Sequence, residues 1–152
     1  MYKLLLMLVV LGNVDSPPTD KFWKPVPENK YAVQFETQPH DADTFDLAIN
    51  IDDFDIILHS QKVRVENYDS CEVNRVRKTV NITDAELIKG KQARDYVATL
   101  IQKYEVYIVT KNKRDAYGRL LVIVYLSDKN HKNLFIDLKD LIFAQGFDRS
   151  QL

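Results

Sequence analysis

The chain has 152 residues, a length that fits one domain with a substantial core. Hydrophobic residues make up 45% and charged residues 28%, which is ordinary for a globular protein. The net charge of −1 excludes the very basic proteins that coat nucleic acids, so binding to a polyanion would need a local basic patch. The single cysteine, Cys71, excludes an intrachain disulfide, and three scattered histidines do not favour a Cys/His metal cluster.

The first segment of the chain is apolar and short. Residues 1–12 contain one lysine, then eight apolar residues and a glycine, which predicts either a secretory signal peptide or an apolar segment packed on the domain. Eight apolar residues are too few to cross a bilayer, so no stable membrane span is expected. We expect a secreted or periplasmic protein if residues 1–12 are a signal peptide, and a cytoplasmic one otherwise.

A proline-rich segment follows. Residues 13–29 hold four of the five prolines, and proline fixes the backbone and removes a hydrogen-bond donor. This composition predicts an extended arm. The compact domain is therefore expected over residues 30–150.

Strands are predicted on both sides of one long helix because short runs are rich in β-branched and aromatic residues. Val63 and Val65 alternate with Lys62 and Arg64, which points Arg64 to the face opposite the two valines. A turn is expected at residues 52–53 and a hairpin connection over 111–118. The predicted strands are, in chain order, residues 31–35, 44–51, 54–58, 61–65, 106–109 and 120–126.

Two helices carry end signals. Thr83 and Glu86 form a capping box, in which the threonine hydroxyl accepts from the Glu86 amide and the Glu86 side chain reaches back. Apolar residues then recur at spacings of three and four residues up to Tyr104. A second helix is expected to begin after Asp137 as its cap and to end before Gly146, which supplies the left-handed position.

This order predicts a mainly β, α+β protein. Strands around a single long helix do not give the regular alternation of a doubly wound sheet. We expect a five-stranded oligonucleotide-binding (OB-fold) barrel with a helix inserted before the last strands and a C-terminal helix.

Charged residues collect where strands end. Asp41 and Asp43 precede a strand, Asp69 and Glu72 follow one, and Arg119 follows the hairpin glycine. Strand ends and hairpins meet at the rims of a barrel, so these residues and Arg64 are candidates for one site. Carboxylates suit Ca²⁺ or Mg²⁺, paired arginines bind a phosphodiester, and a further carboxylate activates water. Such residues are also common on surfaces, so spacing alone leaves an ordinary solvated rim open.

Three motifs at these residues are similar to those of one enzyme family, the staphylococcal nucleases (thermonucleases). The letters DADTFD at 41–46 resemble that family's D-G-D-T-x-D. VRV at 63–65 and DSCE at 69–72 resemble R-L-x-x-I-D-x-P-E with the spacing of its charged residues intact. DAYGR at 115–119 resembles D-x-Y-G-R.

Two further motifs extend the resemblance over residues 31–147. KGKQA at 89–93 resembles the family's G-x-x-A at a helix start, and AQGF at 144–147 resembles the G-[LFY] end of its last helix. All five motifs occur in family order. The resemblance implies an OB-fold barrel and Ca²⁺-dependent, sequence-nonspecific hydrolysis of DNA or RNA, with single-stranded or frayed nucleic acid as the partner.

The resemblance also implies a role for each matching residue. Asp43, Asp69 and the Ser70 carbonyl would hold Ca²⁺, and Asp41 would support the metal from outside its ligand shell. Glu72 would bind the attacking water and act as general base. Arg64 and Arg119 would bind the scissile phosphate and stabilise its transition state, and Tyr117 would hydrogen-bond a substrate phosphate.

The chain departs from the family pattern beside the metal site. Ala42 replaces a glycine and would be strained by roughly 1 kcal/mol if the position required a positive φ angle. Cys71 replaces the proline before Glu72, which removes a rigid residue from the loop. No departure removes a charged catalytic group, so the resemblance implies an active enzyme. The alternative is an OB-fold module that binds single-stranded nucleic acid or a protein without cutting. A monomer is favoured.

Overall fold

The computed structural model describes residues 20–25, 28–51, 55–75, 81–131 and 133–152. These ranges contain seven strands, two α-helices and short 3₁₀ turns. The strands are β1 (Lys24–Pro25), β2 (Tyr31–Phe35), β3 (Thr44–Ile51), β4 (Ile56–Val65), β5 (Glu105–Val109), β6 (Leu120–Ser127) and β7 (Leu134–Asp137), and the helices are α1 (Asp84–Lys103) and α2 (Leu138–Ala144).

All seven strands join one sheet in the order β1-β7-β6-β4-β3-β2-β5. Strand β5 also pairs with β6, so the pairings among β2, β3, β4, β6 and β5 run in a ring. The predicted mainly β, α+β class is confirmed. The described chain has seven strands rather than the expected five, because β1 and β7 lie outside the ring.

Strand β4 covers two segments that the sequence predicts as separate strands. Its register against β3 shifts between Leu47 and Ile49, and Ser60 has a positive φ of 57°. The polar break between the predicted strands is therefore a β-bulge within one strand. The turn predicted at residues 52–53, and residue 54 of the predicted strand, lie outside the described residues.

The pairing of β4 with β6 is parallel and positions the site. Val63 lies opposite Leu120, and Arg64 lies opposite Leu121. Val63 and Val65 are buried in the core, whereas Arg64 is half-buried on the other face, as the alternation predicts. Because Arg119 directly precedes β6, this staggered register places it beside the C-terminal end of β4, near Arg64.

Helix α1 begins at the predicted N-cap, but only one of the two predicted capping hydrogen bonds forms. The Thr83 hydroxyl accepts from the Glu86 amide at 3.2 Å. The expectation that Glu86 reaches back toward Thr83 is wrong, because its carboxylate is buried and pairs with Arg149 instead. The inner face of the helix includes Ala93 and Val97 in the core.

Helix α2 follows β7 without a loop. Asp137 caps it by accepting from the Lys139 amide at 2.9 Å, and Gly146 has a φ of 71°, so both predicted ends are confirmed. Part of the predicted arm is bound to the sheet, since β1 pairs with β7 and Trp23 stacks on His131 with ring centroids 3.9 Å apart. No helix among the described residues has the length and apolarity to cross a bilayer.

Candidate active site

A cleft of ≈ 930 Å³ lies at the end of the β4–β6 pairing. Five separate segments of the chain contribute to it. All eight residues singled out from the sequence line this cleft, namely Asp41, Asp43, Arg64, Asp69, Ser70, Glu72, Tyr117 and Arg119.

A tight turn places the two aspartates before β3. The Asp41 carboxylate accepts from the amides of Asp43 and Thr44, at 3.2 and 2.8 Å, and so fixes the backbone that carries Asp43. Ala42 is fully buried between them and does not have a positive φ. The strain considered for an alanine at this position is therefore absent, and its methyl group contributes to the core. The buried Tyr68 hydroxyl donates to the Ala42 carbonyl.

Asp43 is the buried carboxylate of the cleft, with 2% of its surface exposed. Its Oδ1 lies 2.6 Å from Arg64 Nη1, and its Oδ2 accepts from the Ser70 amide at 2.7 Å. Burial and the neighbouring charge of Asp41 raise the pKa of Asp43 to about 6, and Arg64 opposes this rise. Asp43 is thus mostly ionised at neutral pH and protonated in mild acid.

Arg64 bonds two carboxylates at once. Its second guanidinium nitrogen, Nη2, donates to Asp69. Burial disfavours its charge, but Asp43 and Asp69 outweigh that effect and raise the pKa of Arg64. Arg64 therefore stays charged and links the carboxylate before β3 to the carboxylate after β4.

The loop after β4 is held by the turn that follows α2. The Asp69 amide donates to Asp148 at 3.0 Å, and the Arg149 amide donates to the Asp69 carbonyl at 2.8 Å. Cys71 is fully buried, and burial raises the pKa of its thiol. A neutral, enclosed thiol is a packing group and not a nucleophile at neutral pH.

Arg119 lines the cleft from the connection that precedes β6. Its Nε lies 2.6 Å from Asp115 Oδ2, its amide donates to Asp115 Oδ1 at 2.9 Å, and its Nη1 donates to the Thr44 hydroxyl at 3.3 Å. Partial burial opposes ionisation of Asp115, but hydrogen bonds from Arg119 and Tyr117 lower the pKa of this carboxylate. Asp115 thereby fixes the direction of a half-buried guanidinium.

Tyr117 and Gly118 form the turn that carries Arg119. Gly118 has a φ of 80°, which few other residues adopt. The Tyr117 side chain is 72% exposed, and the Arg119 guanidinium lies 5.4 Å from its ring centroid. The aromatic ring is accordingly accessible at the mouth of the cleft.

Sequence reasoning missed the residues that hold the site in place. Asp115 stands in the DAYGR motif four residues before Arg119, and this spacing is the signal that could have identified it. The contacts of Glu86 and Arg149 had no such signal, because they join segments distant in the sequence. The missed supporting residues are Thr44, Glu86, Gly90, Asp115, Asp148 and Arg149.

The cleft offers part of the oxygen donor set that a divalent cation needs. Asp43 and Asp69 supply carboxylate oxygen atoms that converge on Arg64. Oxygen atoms of this kind are the ligands that Ca²⁺ prefers. In the described part of the chain, no group of three or more Asp, Glu, His or Cys side chains is placed to hold a metal ion. A cation here would therefore need main-chain oxygen and water in addition, and Arg64 would have to release carboxylate oxygen.

The charge balance of the cleft is acidic. Six carboxylates and three arginines are among the described residues that line it. A nucleic-acid phosphate entering it would meet more negative than positive charge, unless a cation entered with it.

No protein-family model matches the chain, and a comparison with curated proteins finds no match.

Proposed function

We propose that the protein is a Ca²⁺-dependent, sequence-nonspecific nuclease that hydrolyses phosphodiester bonds of DNA or RNA. The observation that carries the proposal is the meeting of Arg64, Arg119, Glu72 and two aspartates in one cleft. We further propose that the ring of β2, β3, β4, β6 and β5 is a five-stranded OB-fold barrel, with the cleft at its rim. The preferred substrate is a single-stranded or frayed strand, which can enter without unwinding.

The two arginines would bind the scissile phosphate. A guanidinium presents paired donors that match phosphate oxygens, and its charge stabilises the extra negative charge that develops during attack. Arg119 is already directed by Asp115 and Thr44. Arg64 would exchange part of its bonding to Asp43 and Asp69 for the phosphate.

Glu72 would take the proton of the attacking water. The half-buried side chain lines the cleft beside Asp69 and Ser70, which leaves it access to solvent. A carboxylate held near a bound phosphate and a water is suited to general-base work. Tyr117, exposed at the mouth, would hydrogen-bond a neighbouring phosphate.

Asp43, Asp69 and a Ser70 main-chain oxygen would hold Ca²⁺. When bound, the cation supplies positive charge that offsets the charge of the phosphate. The acidic balance of the cleft supports this requirement, because the arginines alone do not neutralise the carboxylates around them.

The deciding experiment is a cleavage assay on single-stranded DNA with Ca²⁺ titrated against a chelator. We expect cleavage by the wild-type protein with Ca²⁺, no cleavage with chelator in excess, and a loss of roughly 10²-fold or more in Glu72→Gln. Undiminished cleavage in chelator, or no cleavage by a pure and folded protein, would reject the proposal.

A second candidate function is a barrel that binds single strands without cutting. The observation that favours it is the bonding of Arg64 to both aspartates. These bonds occupy the guanidinium that would bind a phosphate and the carboxylates that would bind a cation. This candidate predicts salt-sensitive binding that needs no metal and yields no product. A gel-shift assay in chelator, read beside the cleavage assay, separates the two functions.

A further inference from the structure

The backbone of Cys71 and Glu72 lies directly against helix α1 at Gly90. A Cβ atom added to Gly90 would lie 2.1 Å from the Glu72 carbonyl oxygen and 2.8 Å from that of Cys71. Both distances are far below a normal contact, so only glycine fits. Gly90 does not have a positive φ, and a glycine inside a helix costs roughly 0.5–1 kcal/mol relative to alanine. Glycine is therefore required at this position because the loop backbone approaches the helix closely, and not because of an unusual φ angle.

One helical turn before Gly90, and on the same face of α1, Glu86 bonds the main chain of Glu72. Glu86 is 4% exposed, and its Oε1 accepts from the Glu72 amide at 3.4 Å. The same oxygen lies 3.1 Å from Arg149 Nε. Arg149 also bonds the loop three residues before Glu72, because its amide donates to the Asp69 carbonyl at 2.8 Å.

We infer that Gly90 and Glu86 are positioning residues that fix the main chain of Glu72 and thereby direct its side chain into the cleft. Gly90 sets how closely the Glu72 carbonyl approaches the helix, and Glu86 holds the Glu72 amide. Neither residue lines the cleft. The inference rests on the proposed function, since it concerns the same reaction, but it also makes a structural claim about this loop.

The first test is Gly90→Ala. A methyl group at this position forces the Glu72 carbonyl to move by roughly 1 Å, and a displacement of that size costs about 10²-fold in rate when it shifts a catalytic group. Alanine favours the helix, so the variant does not weaken α1 itself. We expect kcat to fall about 10²-fold while KM changes by no more than a few-fold. Lys91→Ala, at the exposed next residue, is the matched control and should cleave at the wild-type rate.

The second test separates the amide contact from simple burial. Glu86→Gln keeps an oxygen that accepts from the Glu72 amide, whereas Glu86→Ala does not. We expect Glu86→Gln to lose less than about 10-fold in kcat and Glu86→Ala to lose more, with both below the wild type. Equal rates for wild type and Glu86→Ala, or for wild type and Gly90→Ala, would overturn the inference.

Amide hydrogen exchange over residues 69–75 gives a readout that does not depend on cleavage. Exchange should be faster in Gly90→Ala and Glu86→Ala than in the wild type, and unchanged in Lys91→Ala. If the wild type does not cleave nucleic acid, the proposed function fails, and this measurement alone decides whether α1 holds the loop. Unchanged exchange in both variants would overturn the inference whatever the wild type does, and Glu86→Ala alone decides it if Gly90→Ala does not fold.

Discussion

Arg64 Nη1 lies 2.6 Å from Oδ1 of Asp43, and the same guanidinium also bonds Asp69. The arginine thus stands between the two carboxylates that would hold a cation. Its charge offsets theirs only in part, because burial and Asp41 still raise the pKa of Asp43 to about 6. A bound phosphate would therefore take over contacts of Arg64, and a bound cation would take over contacts of the two aspartates, that these side chains now make with each other.

The raised pKa of Asp43 predicts a pH dependence of stability. The folded state binds this proton more tightly than the unfolded chain, whose value is near 3.8, so Asp43 stabilises the fold most in acid. Its contribution is lost as pH rises from about 4 to about 6. We expect the free energy of unfolding of the wild type, relative to Asp43→Asn, to fall on the order of 2–3 kcal/mol over this window. Urea unfolding at several pH values measures it, and parallel curves for the two proteins would contradict it.

Asp115 should act on the reaction mainly through Arg119. Arg119→Ala is expected to lower the cleavage rate roughly 10²-fold or more, because it removes a charge that we propose stabilises the transition state. Asp115→Asn, which loses a charge-assisted bond to Arg119, should cost less. The double variant should be no slower than Arg119→Ala alone, and a rate below it would indicate an independent role for Asp115. Lys113→Ala, exposed in the same connection, is the control.

Ala42 should stabilise the fold where the resembling family has glycine. Its methyl group is fully buried and its backbone is not strained. We expect Ala42→Gly to lower the free energy of unfolding by about 1–2 kcal/mol, from lost burial and greater freedom of the unfolded chain. Ala116→Gly, at an exposed position, should show only the second effect. Equal losses in the two variants would mean that burial at Ala42 contributes nothing.

Nucleic acid should bind more tightly when Ca²⁺ is present. The cleft carries more carboxylates than arginines, so a strand that enters without a cation meets net repulsion. The Glu72→Gln variant, in which cleavage is expected to be slowed, allows binding to be measured before much substrate is cut. Fluorescence anisotropy of a labelled oligonucleotide should give a lower Kd with Ca²⁺ than with Na⁺ at the same ionic strength. Identical Kd values would favour the module that needs no metal.

Much of the fold could be predicted from local pattern. Strands β2 and β3 begin and end at the predicted residues, since their β-branched and aromatic runs are bounded by turn-forming residues. The N-caps of α1 and α2 could also be predicted from local sequence, because threonine and aspartate are preferred at that position. Strand β7 was missed because it runs into α2 without a turn, and β1 was missed because proline argues against a strand except at an edge.

The site was predictable in its members but not in its internal contacts. Motif spacing located the eight residues of the cleft, yet it could not show that Arg64 bonds both aspartates. The capping-box pattern at Thr83 assigned the Glu86 carboxylate to the helix end, whereas a long-range partner, Arg149, takes it in the folded chain. A local motif indicates which hydrogen bonds are possible, and tertiary packing determines which of them form.

The parallel pairing of β4 with β6 has a consequence for how the protein would be handled in a cell. Arg64 belongs to one of these strands and Arg119 directly precedes the other, so the two arginines come together at the cleft only after the strands have paired. A chain still emerging from the ribosome, or one caught halfway through refolding, lacks that arrangement. The proposed activity would then appear together with the finished tertiary structure, and cleavage would serve as an assay of correct folding.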